Sequence, residues 1–279
     1  MTYLVERLVA DELWVLFRRV VPPTEVKRPQ GGGRRRAGDR EALAAIVFVP
    51  TSGCTWRQLP PVFGPCWQTV YRRFAQWSRD RVWGRLHRVI LDELGARGDL
   101  DWSRCAIDSV SVRAAKRGPL TGPNPTDRGK MGSKIHLITD RNGLPLSLGV
   151  SGANMHDSKG LEPLVRGILP IRSRRGPRRR KPAKLHADKG YDYDHLRRWL
   201  RQRGIRHRIA RKGIESSHRL GRHRWVVERT VSWLAGCRRL HRRYEHKAEH
   251  FLAFVGIAAA LIANRRLNTV WMGRSDGAP

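Results

Sequence analysis

The chain has 279 residues, enough for two domains and a sizeable core. Its 56 Lys and Arg against 24 Asp and Glu give a formal net charge of +32, which makes a polyanion the expected partner. No membrane partner is expected, because the longest apolar run, residues 251–263, has 13 residues where roughly 17–25 are needed, and no secretion signal, because acids stand where its apolar stretch belongs.

The first hundred residues read as helices. Leu13, Trp14, Phe17, Val20 and Val21 stand at helical spacing, and Pro22–Pro23 stops the run. A Gly- and Arg-rich loop is expected over 25–38. Asp39 then reads as the cap of a helix that Pro50 ends. Over 66–78, Trp67, Val70, Tyr71, Phe74 and Trp77 form one apolar stripe, with Gln68, Arg72, Arg73 and Gln76 placed away from it. That helix has the look of the recognition helix of a helix-turn-helix-like domain, with Gln68, Arg72 and Arg73 facing DNA. The plainer alternative is an amphipathic helix with a solvated basic face. Residues 82–94 repeat the amphipathic pattern.

From residue 100 the period changes to strands. Segments 103–114, 132–140 and 144–154 are β-type, the latter two joined at Asn142–Gly143, a tight-turn signal. A helix over 156–169 leads to the tract 172–182, whose seven Arg and Lys can pack no core and read as a solvated loop. Strand 183–188, helix 193–204, strand 205–211, a helix around residue 228 and a helix over 249–267 follow, with 269–279 expected to be a disordered tail. Three strands, then alternating helices and strands, behind a helical region suggest an α/β chain. We expect a ribonuclease H-like catalytic domain over 99–268, preceded by a small all-α helix-turn-helix-like domain over 1–98. Cys54, Cys66, Cys105 and Cys237 form no CxxC pair and read as free thiols of a reducing cytoplasm.

Acids are scarce here, and three stand out. Asp108 lies in a strand otherwise apolar or small. Asp188 ends a short strand, and Glu228 lies in a helix. Brought together, three carboxylates repel one another but suit a hard divalent cation that takes oxygen ligands. Each has a plainer reading: Asp108 bonded to a neighbouring strand end, Glu228 paired with Arg224 one turn earlier. Asp188 competes with Asp192 and Asp194, which suit a helix cap better. Trp225 and Trp233 flank Glu228. An indole there stacks an unpaired base or simply packs the core; for Trp233 the core reading is preferred. Asn154, His156, Asp157 and His186 are placed near the acids by the same pattern, with helix capping or structural roles as alternatives.

The segments around 108–114, 122–140, 151–158, 185–192 and 221–240, in this order, together resemble the bacterial insertion-sequence transposases of the DDE type, insertion sequence five group, within the four/five superfamily. Residues 48–77 resemble the amino-terminal domain of that family, and the resemblance spans roughly residues 10–267. It implies that Asp108, Asp188 and Glu228 are the catalytic acids and hold two Mg²⁺ or Mn²⁺ ions. The implied activity is DNA cleavage and strand transfer on double-stranded DNA, at terminal inverted repeats and target, by a homodimer or larger assembly at the bacterial nucleoid. Lys189, Arg224, Trp225, Arg238 and Arg239 join Gln68, Arg72 and Arg73 as expected DNA contacts. The family's Tyr-Arg-Glu-Lys signature is only half kept. Arg224 and Glu228 match it, Gly221 stands in the Tyr place and Ala235 in the Lys place, with Arg238 or Arg239 as substitute charge. A decayed, binding-only transposase and a structure-specific nuclease are the rival readings.

Overall fold

The computed structural model describes residues 2–23, 36–214 and 217–275, so most of the Gly- and Arg-rich segment expected over 25–38 lies outside the described residues. Helices α1 (Thr2–Leu8), α2 (Asp11–Arg18), α3 (Asp39–Ser52), α4 (Trp67–Arg79) and α5 (Val82–Arg97) form the amino-terminal region. Two 3₁₀ turns, Trp56–Gln58 and Pro61–Phe63, link α3 to α4, a longer path than the three- or four-residue turn of a tight helix-turn-helix.

Pro50 does not end α3, contrary to the sequence expectation; the helix runs on to Ser52. Pro50 forfeits only its own bond back along the helix, and the nearby carbonyls are covered by side chains. Thr51 Oγ1 donates to the Val47 and Phe48 carbonyls, and Ser52 Oγ donates to the Phe48 carbonyl. Gly53, at φ 78°, then closes the helix by donating to Val49. Asp39 sits in the first turn of α3, but its side chain makes no cap bond; Gly38 holds the cap position.

Strands β1 (Cys105–Ala114), β2 (Gly122–Pro123), β3 (Met131–Thr139) and β4 (Pro145–Gly152) are followed by α6 (Ser158–Gly167), β5 (Lys184–Ala187), α7 (Asp194–Gln202) and β6 (Arg206–Ile209). Then come α8 (Ser217–Ala235), a 3₁₀ turn over Arg238–His241, β7 (Arg242–Arg243) and α9 (Ala248–Ser275). In the sheet, β4, β3 and β1 pair antiparallel, and β5 and β6 add on the far side of β1 in parallel. The order β4-β3-β1-β5-β6 is that of a ribonuclease H-like α/β fold. The β3–β4 turn closes at Gly143, φ 89°, and the Asp140 carboxylate ties it by accepting N–H bonds from Asn142 and Leu144.

Short β7 pairs with the end of β1 and brings in Arg243, whose side chain is fully buried. Its guanidinium donates to the carbonyls of Pro119, Leu120, Glu245 and His246 and to Ser133 Oγ. The strap between β1 and β2 is held to the sheet by those bonds.

The core is continuous from the helical region into the sheet. Phe74 of α4 stacks on Phe254 of α9 with ring centroids 4.7 Å apart, and Arg97 of α5 donates to the Leu267 carbonyl of α9. By length and composition α9 is apolar enough over Ala248–Thr269 to cross a membrane, but 72% of that window is buried, which makes it a core helix. It continues to Ser275, into the stretch expected as tail; residues 276–279 lie outside the described residues.

Candidate active site

Two of the three acids are set by strand register. Parallel pairing of β1 with β5 places Ala106 opposite His186. Asp108 and Asp188 each follow that pair by two residues, Asp108 within β1 and Asp188 just beyond the end of β5. Asp188 lies just past β5 with extended backbone and accepts the Gly190 N–H at 2.9 Å, which caps a 3₁₀ turn at Lys189–Tyr191. Asp108 accepts the Ser109 N–H at 2.8 Å. Each carboxylate thus accepts a backbone N–H.

The competing acids are occupied otherwise. Asp192 accepts from the Lys212 N–H and from Arg197, and these bonds hold its carboxyl below the usual range. Asp194 begins α7 and is exposed.

Helix α8 packs across β1, β3 and β5. Val226 and Val227 are buried beneath it, and Thr230 Oγ1 donates to the Gly143 carbonyl at 2.7 Å. Glu228 is exposed on that helix. Among the described residues no three His, Cys, Asp or Glu side chains are gathered so as to hold a metal ion. Asp108, Asp188 and Glu228 therefore do not form one such group among the described residues. Asp108 and Asp188 are hard anionic oxygen donors, the donor chemistry that a divalent cation takes.

On the opposite face, Ser109 Oγ donates to Asp157 Oδ1 at 2.7 Å and Lys134 Nζ donates to the same oxygen at 2.9 Å. Burial would raise the Asp157 carboxyl, yet these two bonds outweigh it and hold it below the usual range. Asp157 makes no side-chain cap on α6; it ties the start of that helix to β1 beside Asp108 and to β3. Nothing local marks this cross-link in the sequence.

The expected DNA contacts divide. Gln68 and Arg72 are exposed on α4, one turn apart. Arg73 is a correction: it is buried and paired with Asp39 of α3, with a further bond to the Ala37 carbonyl. Position 73 falls three after Val70 and one before Phe74, on the inward face. Arg239 is a second correction: it is buried, pairs with Glu245 at 2.9 Å and donates to the Cys54 carbonyl. Arg238 is exposed, and half-buried Lys189 directly follows Asp188. The side chain of Arg224 lies outside the described residues.

Trp225 and Trp233 are 50% and 38% exposed, so neither is core. Arg229 lies between them, its guanidinium carbon 4.6 Å from each ring centroid. The spacing Trp225, Arg229, Trp233 was legible as one helical stripe; the stack was not read from it. In the tract 172–182, Arg178 pairs with Asp92 of α5 at 2.8 Å and Arg172 N–H donates to the same carboxylate, so the loop is exposed but pinned.

A family model described as "Transposase DDE domain" matches residues 102–263, and one for transposases of the IS4/5 family matches residues 9–87. A Burkholderia cepacia protein named as the transposase for insertion sequence element IS402 is 48% identical over 223 residues, 80% of this chain and 92% of that protein. The Neisseria meningitidis serogroup B transposase for insertion sequence element IS1106 is 28% identical over 140 residues, 47% of this chain and 43% of that protein. Among solved structures, a piggyBac transposase synaptic complex with hairpin DNA is similar at 10% identity and TM-score 0.49, over 94% of this chain and 73% of that one.

Proposed function

The chain belongs to the DDE transposases of the IS4/5 family, and from that premise we propose that Asp108, Asp188 and Glu228 carry its DNA cleavage and strand transfer. The observation that supports the proposal is the parallel register of β1 with β5, Ala106 opposite His186, from which Asp108 and Asp188 each follow by two residues. Divalent metal is general in this family. We assign two Mg²⁺ (or Mn²⁺) ions to this site, where bound metal would activate the attacking oxygen and neutralise charge on the leaving one. Asp108 and Asp188 hold their carboxylates fixed through the Ser109 and Gly190 N–H groups, and α8 brings Glu228 from the helix side when DNA is engaged.

Terminal inverted repeats are bound by the helical region, 1–98, through the exposed α4 residues Gln68 and Arg72. The catalytic region, 99–268, contacts DNA through Lys189, Arg224, Trp225, Arg238 and the tract 172–182. Two ends must be joined, so the working form is a dimer or larger on DNA in the cytoplasm, at the nucleoid.

One observation favours a second reading, a binding-only protein: among the described residues the three acids do not form a metal-holding group. A single assay separates the two. Full-length chain is incubated with linear DNA carrying the element's own ends, with Mg²⁺, and cleaved and joined products are resolved. Wild type is expected to cleave and join. Asp108→Asn and Asp188→Asn should lose about a hundredfold or more, since several kcal/mol of charge stabilisation go with the site, while mobility-shift affinity for the ends is retained. Cleavage by Asp108→Asn at wild-type rate would refute the assignment. Bound but uncut ends with wild type would establish the second reading.

A further inference from the structure

Strand β1 meets β5 only at Cys105 and Ala106, and β7 only at Arg113 and Ala114. Over 107–112, among the described residues, its one strand neighbour is β3. Asp108 lies in that one-sided stretch, where backbone pairing holds the strand along a single edge. Its carboxylate accepts the Ser109 N–H at 2.8 Å. The Ser109 hydroxyl, on the other face of the sheet, donates to Asp157 Oδ1 at 2.7 Å. A chain of two bonds therefore runs from Asp157 through one residue to Asp108.

Asp157 is itself anchored. Lys134 Nζ donates to the same Asp157 oxygen and, at 2.8 Å, to the Met155 carbonyl. Helix α6 is seated closely on β3, where a Cβ at Gly160 would come within 2.9 Å of His136 Nδ1. The Lys134 bond already ties the head of α6 to β3, so the Ser109 bond is not needed for that seat. It adds a hold on the residue whose N–H binds Asp108. We propose that Asp157 is a positioning residue: through the Ser109 hydroxyl it fixes the peptide N–H that binds Asp108, in place of the strand neighbour that β1 lacks there. The proposal rests on the reading of Asp108 as a catalytic acid, so its test includes an arm without DNA or metal.

Cleavage of linear DNA carrying the element's ends is followed with the full-length chain. Asp157→Ala and Ser109→Ala should each lower kcat about tenfold, with KM for the ends within about twofold, less than the hundredfold that about 1 Å of misplacement can cost. Both donors use one oxygen of Asp157, so Asp157→Asn keeps an acceptor there and should stay within about threefold of wild type. The double variant should fall no more than about twofold below either single one, as residues acting in one chain do. In chelator and without DNA, hydrogen exchange at the Ser109 amide should run about tenfold faster in Asp157→Ala, with the Gly190 amide as an unchanged reference. Circular dichroism checks folding, and Ser109→Ala, which deletes a single hydroxyl, carries the test should Asp157→Ala not fold. A loss in Asp157→Asn as large as in Asp157→Ala would show that the charge and not the bond matters, and would overturn the proposal. So would full additivity in the double variant, or unchanged exchange at Ser109. Should wild type cut no DNA, the catalytic reading fails on its own, and the exchange comparison still decides whether Asp157 holds the Ser109 N–H.

Discussion

Arg243 gives the sharpest quantitative test of how the fold carries the site. Its side chain is fully buried, and the guanidinium donates five bonds of 2.8–3.0 Å, four to carbonyls and one to Ser133 Oγ. Replacing it with Met keeps the stem and removes the guanidinium donor from the Pro119, Glu245 and His246 carbonyls, while the Leu120 carbonyl and Ser133 Oγ keep their bond to each other. Each orphaned group costs about 1–3 kcal/mol before relaxation. Removal of the buried charge offsets part of that sum, because its desolvation cost disappears. The net expectation is a destabilisation of about 3–5 kcal/mol, as for other broken buried networks. Urea unfolding of the full chain, followed by tryptophan fluorescence, should show a midpoint shift of about 1–2 M. Arg243→Lys should recover less than half, since an ammonium has three N–H donors and cannot reach all five acceptors. Limited proteolysis should open first in the strap over 115–122, whose Pro119 and Leu120 carbonyls the guanidinium holds. A loss below about 1 kcal/mol, or a Lys variant as stable as wild type, would refute the argument.

Two further outcomes follow from burial. Arg73→Ala should destabilise by about 1–3 kcal/mol by removing its buried bonds to Asp39 and the Ala37 carbonyl, with DNA affinity little changed, whereas Arg72→Ala should leave the melting temperature unchanged and lower the salt slope by about 0.9; the reverse pattern in melting and anisotropy would sink the inward placement of Arg73. Burial raises the Asp140 carboxyl from 3.8 to about 6 against its backbone donors, so between those values the folded chain holds a proton that the unfolded chain has lost. Stability from this group is therefore full below about pH 4 and falls by up to about 3 kcal/mol as pH rises to about 6. Asp140→Asn should flatten the urea midpoint over that interval, and parallel pH profiles for variant and wild type would contradict the assignment.

Alternation and helical period in the sequence were sufficient for the order of the longer strands and helices, though not for the two-residue strands β2 and β7, because each longer element depends on hydrogen bonds and side-chain direction over a few residues. Asp108, Asp188 and Glu228 were picked out as acids in strand, strand end and helix, and the structure places them in those elements. Local rules failed where a distant partner intervened. Arg73 looked like a DNA contact until Asp39, 34 residues upstream, took its charge. Arg239 likewise is held by Glu245 and by the Cys54 carbonyl, 185 residues away. Pro50 looked like a helix end, and the hydroxyls of Thr51 and Ser52 kept the last turn covered. That the strands carrying or leading to Asp108 and Asp188 are neighbours follows only from the parallel pairing of β1 with β5. The stance of Glu228 follows only from how α8 packs on the sheet. Neighbours 40 or 80 positions apart are chosen by burial and by loop closure across the whole chain, and no pattern a few residues long encodes that choice.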